Sequence, residues 1–292
     1  METRIWGMRG GTPVSGSDCS RYGGNTACIE VRCGTDLLIL DGGSGLIPLG
    51  QQLTEKLGDR PFIGQMFLTH MHWDHIIGIP YFLPVYRLQG KLVIHGIAGM
   101  EETLLSLFQG AGAGEYFPVP MGKVKTEVVF EELSEETRVG DAKISYYYLN
   151  HPGLTIGFRI EYGGKSLVYI TDNEPYRSSN KELVKDDDDS SFLARIDREV
   201  IQFARNADLL IADATFADEE YADLIGAGHS SVGDALRIGL SAAAKNLVLF
   251  HHHPLRTDDE IDAMVEKCRQ RVEKLKGKLK ILTPGEGETI EL

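Results

Sequence analysis

Short apolar runs, bounded by glycine, proline and polar residues, recur along the chain and predict strands. They fall into two successive sets. The predicted strands cover residues 27–32, 36–40, 62–68, 91–95, 124–130, 143–149, 154–162, 166–170, 209–212 and 247–250, with a final strand pair at 279–282 and 288–292.

Apolar residues at helical spacing predict helices beside these strands. The predicted helices cover residues 48–57, 99–108, 196–206, 232–244 and 257–275, and a short helix starts at Asp74. Two sets of strands, each flanked by helices, predict two sheets packed between helix layers. Because no long linker and no repeat of obvious period interrupts the chain, we expect residues 1–292 to form a single domain.

The charge balance bears on possible partners. The 292 residues include 43 acidic and 30 basic side chains, which gives a net charge of −13. Proteins that grip long nucleic acid normally carry a basic surface, and we expect none of that kind here. We therefore do not expect long nucleic acid as a partner. A small anionic substrate is compatible with this charge, since bound metal ions would invert the local field.

Membrane and redox signals are weak. No apolar run approaches the ~20 residues that a membrane span needs, so we expect no membrane association. The N-terminus does not have the pattern of a secretory signal, and we expect a cytoplasmic protein. The cysteines contain no Cys-x-x-Cys pair, which favours reduced thiols. A structural zinc held by Cys19, Cys28 and Cys33 is the alternative.

The segment 67–75 carries the strongest chemical signal. It supplies four potential metal ligands within six positions, directly after a predicted strand. Imidazole nitrogens and carboxylate oxygens are the ligands that zinc prefers. Donors at this spacing do not share one face of a regular element, but a strand end that turns into a helix can direct them at two ions. The segment therefore predicts a dinuclear metal site, with donors His70, His72, Asp74 and His75.

Further candidate ligands follow other predicted strands, where scaffolds usually place their chemistry. His151, Asp172 and His251 each come shortly after such a strand. Because His252 and His253 follow His251 directly, a neighbouring histidine is the alternative to His251 as the last ligand. His95 lies within a predicted strand, and we expect it to be structural.

These residues, taken in order, resemble the five-motif signature of the metallo-β-lactamase superfamily. Asp41, after an apolar strand, matches its first motif. The resemblance implies an α+β fold, the αββα four-layer sandwich, with two divalent metal ions at one edge of the sheets. Zinc is expected first, with manganese or iron as the alternatives. It implies that His70, His72 and His151 hold one ion, that Asp74, His75 and His251 hold the other, that Asp172 bridges them, and that Asp41 orients a ligand.

Two further segments, 211–216 and 228–231, resemble parts of ribonuclease Z and its phosphodiesterase relatives. This resemblance implies that His229 contacts a phosphoryl oxygen or protonates the leaving oxygen, and that Asp213 holds its ring. The family has Glu where Asp213 stands, which is one methylene longer. Alternatively, Asp213 caps a strand end and His229 belongs to the N-cap region of the following helix. The glycine-rich segments 9–13 and 22–27 are either plain turns or a backbone cradle near the site.

We therefore predict a dinuclear metal-dependent hydrolase, and within that class a phosphodiesterase that directs a metal-bridging hydroxide at a small or cyclic phosphodiester. Asp74, His229 and Asp213 are the predicted catalytic residues. A lactonase or thioesterase of the same fold is the alternative. The glycine- and basic-rich arm with which ribonuclease Z grasps tRNA is not evident, and the acidic segment 173–193 would repel a polyanion. The apolar segment 76–88 is read as core, with a pocket or a homodimer contact as alternatives.

Overall fold

Two sheets of seven strands each form the centre of the structure. The computed structural model of the protein describes residues 1–109, 124–176 and 192–292. In chain order the strands are β1 (Glu2–Gly7), β2 (Cys28–Cys33), β3 (Asp36–Leu40), β4 (Phe62–Phe67), β5 (Gly90–Gly96), β6 (Thr126–Glu132), β7 (Glu136–Val139), β8 (Ala142–Tyr148), β9 (Ile156–Tyr162), β10 (Lys165–Ile170), β11 (Leu209–Asp213), β12 (Asn246–Phe250), β13 (Lys280–Leu282) and β14 (Thr289–Glu291).

Both sheets are mixed, with antiparallel strands on one side and parallel strands on the other. The first sheet runs β14-β1-β2-β3-β4-β5-β6, and the second runs β13-β12-β11-β10-β9-β8-β7. The strands β3 to β6 are parallel to one another, and so are β10 to β13. Parallel neighbours end at the same sheet edge, so each sheet gathers several carboxyl ends along one line.

The two sheets pack face to face. The rings of Phe67 in β4 and Phe158 in β9 meet with centroids 5.7 Å apart. The N–H of Ile156 donates to the carbonyl oxygen of Thr69, 3.0 Å away, and so joins the second sheet to the loop after β4. Strand β11 is buried at every residue, as expected where both faces of a sheet are covered. Each fully buried leucine or isoleucine there contributes about 1.5–3 kcal/mol of hydrophobic stabilisation.

Helices pack beside the sheets. They are α1 (Leu46–Leu57), α2 (Trp73–Ile76), α3 (Leu83–Arg87), α4 (Met100–Gln109), α5 (Phe192–Phe203), α6 (Val232–Ser241) and α7 (Asp258–Lys274). Helix α7 shows how the sequence builds one of them. The side chain of Thr257 and that of Glu260 form a capping box at its start, and its apolar stripe from Ile261 to Val272 is buried. The architecture is the predicted α+β sandwich with two sheets between helices.

The structure also corrects parts of the predicted secondary structure. Strands β1 and β7 were not predicted, because β7 is a short polar edge strand and β1 alternates exposed and buried residues for only part of its length. The last two strands are not paired, since β13 lies at the edge of the second sheet and β14 at the edge of the first. Residues 110–123 and 177–191, which include most of the acidic segment 173–193, lie outside the described residues.

The apolar segment 76–88 packs mainly inward. Phe82 and Val85 are buried, while Tyr81 keeps 42% of its surface exposed. The segment is therefore part of the core, as predicted. The homodimer and the single domain both stay predictions. No helix within the described ranges is both long and apolar enough to cross a membrane.

Candidate metal centre and active site

All predicted metal ligands lie at carboxyl ends of strands on one edge of the sandwich. The loop after β4 carries the histidine-rich segment, and His151, Asp172 and His251 follow β8, β10 and β12. The chain therefore folds so that donors up to 181 residues apart converge. The predicted ligands form two groups, which are His70, His72, His151 and Asp172, and Asp74, His75 and His251. A third group joins His229 to Asp172 and His251, and within each group the donor atoms lie within 4.8 Å of one another.

The first group has the geometry of a cation site. His151 Nε2 and His72 Nδ1 face each other at 2.9 Å. His70 Nε2 is buried and has no hydrogen-bond partner among the described residues. A buried ring nitrogen without a partner costs free energy, which a metal ion at this point would recover. Burial lowers the pKa of His70 and of His151, so both rings stay neutral and can ligate.

Asp172 joins the two groups. Its Oδ2 lies 3.5 Å from the Nε2 atoms of His70 and His151. Its Oδ1 lies 3.2 Å from His75 Nε2 and 3.3 Å from His251 Nε2. Burial raises the pKa of this carboxyl group, but His251 and His75 outweigh burial and hold the pKa well below its usual range. A carboxylate that presents one oxygen to each group fits the bridging position.

The second group completes the arrangement. His251 Nε2 lies 3.1 Å from Asp74 Oδ2 and 3.3 Å from His75 Nε2. Asp74 Oδ2 also accepts a hydrogen bond from the N–H of Gly11, at 2.7 Å. A Cβ on Gly10 would lie 2.3 Å from the His251 ring, so this position has no room for a side chain. The glycine-rich opening thus forms a backbone cradle against the site rather than a plain turn.

Each buried histidine is fixed through the nitrogen that faces away from the cluster. His75 Nδ1 donates to Asp41 Oδ2 at 2.9 Å, and His151 Nδ1 donates to the carbonyl oxygen of Gly228 at 2.7 Å. His251 Nδ1 lies 3.1 Å from Thr215 Oγ1. Such bonds set the ring orientation and leave Nε2 free for a metal. The donor set therefore fits divalent cations, and the site binds divalent metal ions.

Asp41 is the anchor of the loop after β4. Its carboxylate accepts from the N–H and the hydroxyl of Thr69, from His75 and from the Tyr169 hydroxyl, at distances of 2.8–3.0 Å. Asp41, Asp172 and His251 all have positive φ, of 60°, 47° and 60°. Residues other than glycine rarely adopt this backbone conformation. Its occurrence at three strand ends indicates that the surrounding structure holds the backbone there to position the site residues.

The choice among the three consecutive histidines is decided by position. His251 lies in the cluster, whereas His252 hydrogen-bonds through its backbone to Met8 and Gly10. Burial lowers the pKa of His252 to about 3. His253 contacts Phe216, with ring centroids 6.4 Å apart. The predicted ligand His251 is therefore the residue that the structure brings to the other donors.

His229 and Asp213 form a pair beside the cluster. His229 Nδ1 donates to Asp213 Oδ2 at 2.9 Å, so the shorter Asp side chain still reaches the ring. Ser231, not His229, is the N-cap of α6. The ring of His229 lies 4.9 Å from the rings of both His151 and His251. Burial lowers the pKa of His229, but the charge and hydrogen bond of Asp213 outweigh it and raise the pKa to about 9.

Several supporting residues escaped sequence reasoning. Tyr169 and Gly228 carry no sequence signal for their roles, because their partners are distant in the chain. Glu174 is buried and accepts from the N–H groups of Gly226 and Gly228, which fixes the loop before His229. Thr215 stands two residues after Asp213, and its hydroxyl also donates to that carboxylate at 2.7 Å. The pattern Asp-x-Thr was the signal that could have revealed it.

The remaining predictions concern cysteine, His95 and the surroundings of the site. All four cysteines are free, and no cysteine belongs to a potential metal-binding group in the described ranges. His95 lies in β5, where its ring stacks on Phe67 and its Nε2 lies 2.7 Å from Gln65. A cleft of about 320 Å³ opens beside His72 and is lined chiefly by apolar side chains, among them Met71, Ile97, Met100 and Leu154.

The fold and the metal centre together define a metal-dependent hydrolase. The chain belongs to the beta-lactamase superfamily domain family, whose model matches residues 38–252. A ribonuclease Z of Haloarcula marismortui is 26% identical over 292 residues, which span 84% of this chain and 86% of that protein.

Solved structures agree with the fold. The metallo-beta-lactamase fold protein YhfI from Bacillus subtilis superposes with a TM-score of 0.65 at 22% identity, covering 100% of this chain and 99% of that one. The short form of human tRNase Z gives a TM-score of 0.65 at 17% identity, with coverage of 100% and 99%.

These relatives correct one prediction. We did not expect long nucleic acid as a partner, and the similarity to ribonuclease Z contradicts that expectation. The physical reason is that a net charge of −13 sums over the whole surface. Binding depends instead on the local field, to which metal ions and individual patches contribute most.

Proposed function

We propose that the protein is a phosphodiesterase that hydrolyses RNA at a site holding two divalent ions, with zinc as the first candidate. The observation that carries the proposal is the His229–Asp213 pair, whose ring nitrogen and carboxylate oxygen lie 2.9 Å apart beside the metal ligands. The similarity to ribonuclease Z supports RNA as the substrate. A cytoplasmic location remains a prediction from the sequence.

The residues would hold the ions in two sets that share one carboxylate. His70, His72 and His151 would bind one ion, Asp74, His75 and His251 the other, and Asp172 both. A nitrogen-rich donor set of this kind supports zinc, although manganese or iron can occupy such sites when available. Bound there, the ions would supply Lewis acidity toward phosphoryl oxygens and lower the pKa of a water molecule that attacks phosphorus.

His229 would act on the substrate. Asp213 occupies its Nδ1, so the Nε2–H is left to face the centre between His151 and His251. The raised pKa of His229, about 9, keeps the ring protonated at neutral pH. Cations bound nearby would bring this pKa back toward neutrality, where a general acid works best. The ring can then protonate the leaving alkoxide or donate a hydrogen bond to a phosphoryl oxygen.

A small or cyclic phosphodiester is the second candidate, and a specific observation favours it. The described chain between His151 and Asp172 forms only the hairpin of β9 and β10, turned by Gly163 and Gly164 without a basic insertion. The 320 Å³ cleft beside His72 is of a size that suits a small ligand. His229 alone does not distinguish the lactonase alternative, because the alkoxide that leaves a lactone also takes up a proton. The similarity to ribonuclease Z favours the phosphodiesterase over a lactonase or thioesterase.

The test compares leaving groups. Metal-loaded protein would be offered a tRNA precursor, a cyclic dinucleotide, bis-p-nitrophenyl phosphate, a lactone and a thioester. Nitrophenolate departs without a proton, whereas a ribose alkoxide needs one. If His229 is the general acid, His229→Ala should therefore slow tRNA cleavage by about 10²- to 10⁴-fold and the nitrophenyl diester far less.

The matched control is His253→Ala, which removes a neighbouring imidazole outside the cluster and should leave both rates within about twofold of wild type. Equal losses on both diesters in the His229 variant would make it a phosphoryl-binding residue instead. Turnover of the lactone or thioester alone would overturn the phosphodiesterase proposal.

A further inference from the structure

We propose that a row of lysines on the edge of the second sheet opposite the metal centre binds the phosphate backbone of the RNA substrate. We call this row the lysine edge, and it comprises Lys245, Lys274, Lys276, Lys278 and Lys280. The inference deepens the proposed function and rests on it for the choice of RNA. It assigns a binding role to residues that the metal chemistry does not use.

The sequence concentrates positive charge at this point. Residues 274–280 hold four lysines in seven positions and no carboxylate, in a chain whose net charge is −13. Our expectation that the chain has no basic surface was therefore wrong for this segment. The lysines alternate strictly with leucine and glycine, which is the pattern of a half-buried strand, but in the structure only Lys280 of this segment belongs to a strand.

The segment leads into β13, the strand at the edge of the second sheet, and lies at the amino end of that strand. Helix α7 ends at Lys274 and β13 begins at Lys280, which pairs with Asn246 at the start of β12. Lys245 immediately precedes β12 and so lies next to this pairing. A groove of about 550 Å³ opens here, with Lys245, Lys278 and Lys280 among its lining residues.

The charges of this row are largely uncompensated. Within the described ranges, no carboxylate forms an ion pair with any of the lysines from 274 to 280, all four of which are exposed. Asp208 pairs with Lys245 at 2.7 Å and lies 3.7 Å from Lys165, so one carboxylate serves two lysines. Four exposed ammonium groups, of which those of Lys278 and Lys280 lie at the groove, form a site for a polyanion, since phosphate contacts by lysine supply sequence-independent affinity.

The distance from the metal centre indicates the size of the ligand. Strand β12 runs from Asn246, beside the lysine edge, to Phe250, which directly precedes His251. At about 3.3 Å per residue, the two ends of β12 are separated by roughly 13 Å, and Lys245 and His251 by roughly 20 Å. A small diester cleaved at the metal centre cannot reach the lysine edge, whereas a folded RNA can contact both.

RNA fits this surface better than a membrane does. Stable attachment to a bilayer by basic residues usually needs a lipid chain or a substantial apolar face as well. Among residues 274–280, Leu279 is buried and Leu275 is the exposed apolar side chain. Compact ammonium groups on flexible stems suit phosphate as point charges.

The test measures RNA binding without cleavage. Metal-loaded His229→Ala protein, with and without Lys276→Gln, Lys278→Gln and Lys280→Gln together, would bind a fluorescent tRNA transcript over a range of KCl concentrations. The control triple variant carries Lys56→Gln, Lys91→Gln and Lys125→Gln, three exposed lysines of the first-sheet half. Both triple variants change the net charge equally, so they separate a local site from overall charge.

We expect the lysine-edge variant to bind tRNA at least tenfold more weakly at 100 mM KCl. The slope of log affinity against log salt should become shallower by about 2, at 0.7–0.9 per lost phosphate contact. The control should keep the wild-type slope. In a background with His229 intact, the lysine-edge variant should hydrolyse bis-p-nitrophenyl phosphate at the wild-type rate.

Equal affinity and slope in the lysine-edge variant and its parent would overturn the inference, and so would equal losses in both triple variants. Binding to vesicles of phosphatidylserine in place of tRNA would overturn it as well. Failure of the proposed function looks different: tRNA would bind through the lysine edge but would not be cleaved. If the wild-type protein cleaves tRNA but the lysine-edge variant binds it with unaltered affinity, the role of the lysine edge is overturned and the proposed function stands.

Discussion

The two sheets share one pairing pattern but build the site in different ways. In each sheet, three antiparallel pairings are followed by three parallel ones. The first sheet supplies four donors from the single loop after β4. The second supplies three from the ends of separate strands, namely His151 after β8, Asp172 after β10 and His251 after β12.

This difference determines how the donors are held. A loop that carries four donors moves as a unit, and Asp41 fixes it through Thr69 and His75. Donors on separate strands need separate supports, such as Gly228 for His151 and Thr215 for His251. A substitution that weakens the loop after β4 should therefore affect metal binding at the whole centre. A substitution in the second sheet should affect only the donor whose support is lost.

The largest effect should come from the residue that joins the two contributions. Asp172→Ala removes the carboxylate that faces His70 and His151 with one oxygen and His75 and His251 with the other. We expect the loss of tightly bound metal from both positions and a fall in phosphodiester turnover of about a thousandfold or more. Metal content by mass spectrometry and turnover of bis-p-nitrophenyl phosphate would measure both.

The comparison variant for Asp172 is His72→Ala. His72 belongs to one group of donors, so this change should lower the content of one ion and leave the second bound. Two retained ions and a wild-type rate in Asp172→Ala would contradict the bridging assignment.

Removing the support of His229 should have the next largest effect. Asp213→Asn keeps the shape but removes the charge that raises the pKa of His229 to about 9 against the effect of burial. The protonated ring is then lost at a lower pH, so the alkaline limb of the pH–rate profile should move toward lower pH. We expect tRNA cleavage to fall by about a hundredfold above neutrality and less below it. An unshifted profile would separate Asp213 from the function of His229.

The same contrast explains what the sequence could predict. Four donors of the first sheet stand within six positions, so their spacing alone indicates a metal site. The donors of the second sheet were found as histidines and carboxylates after strands, and the resemblance to a family gave them their order. Tyr169 could not be found, because its hydroxyl bonds to Asp41 across 128 residues of chain and between the two sheets. The two-sheet sandwich followed from the pattern of strands, but the polar edge strand β7 did not.

A smaller effect should follow from weakening the anchor of the first sheet. In Asp41→Asn, an amide NH₂ replaces an oxygen that accepts hydrogen bonds from His75 and Tyr169, or from Thr69 if the amide is flipped. Two donors would then face each other in a buried site, which costs about 1–3 kcal/mol. Metal affinity should fall by about 10- to 100-fold, as is usual when the partner of a ligating histidine is lost.

Chelator competition and urea unfolding would measure these two losses. Tyr169→Phe provides the graded control, because it removes one donor and leaves the carboxylate on His75. Its metal affinity should fall less than that of Asp41→Asn. If Tyr169→Phe weakens metal binding as much, the anchor acts through packing between the sheets and not through the orientation of His75.

The smallest effect tests a single support of the second sheet. Gly228 has a φ of 84°, and its carbonyl oxygen accepts from His151. A Cβ there would lie 2.4 Å from Pro152 Cδ and 2.6 Å from His151 Nδ1. Gly228→Ala should therefore strain the backbone by about 1–2 kcal/mol and also push the imidazole from its position.

Gly226 offers a matched control, because its φ is 95° and a Cβ on it would meet nothing within 4 Å. Gly226→Ala shares the backbone strain without the clash, so it should lose about 1–2 kcal/mol of unfolding free energy in urea, and Gly228→Ala should lose more. Gly228→Ala alone should then weaken metal binding, by roughly tenfold at most, since one of the separately held donors is displaced. Equal metal affinity in the two variants would mean that His151 does not depend on this loop, and that the second sheet holds its donors as a unit after all.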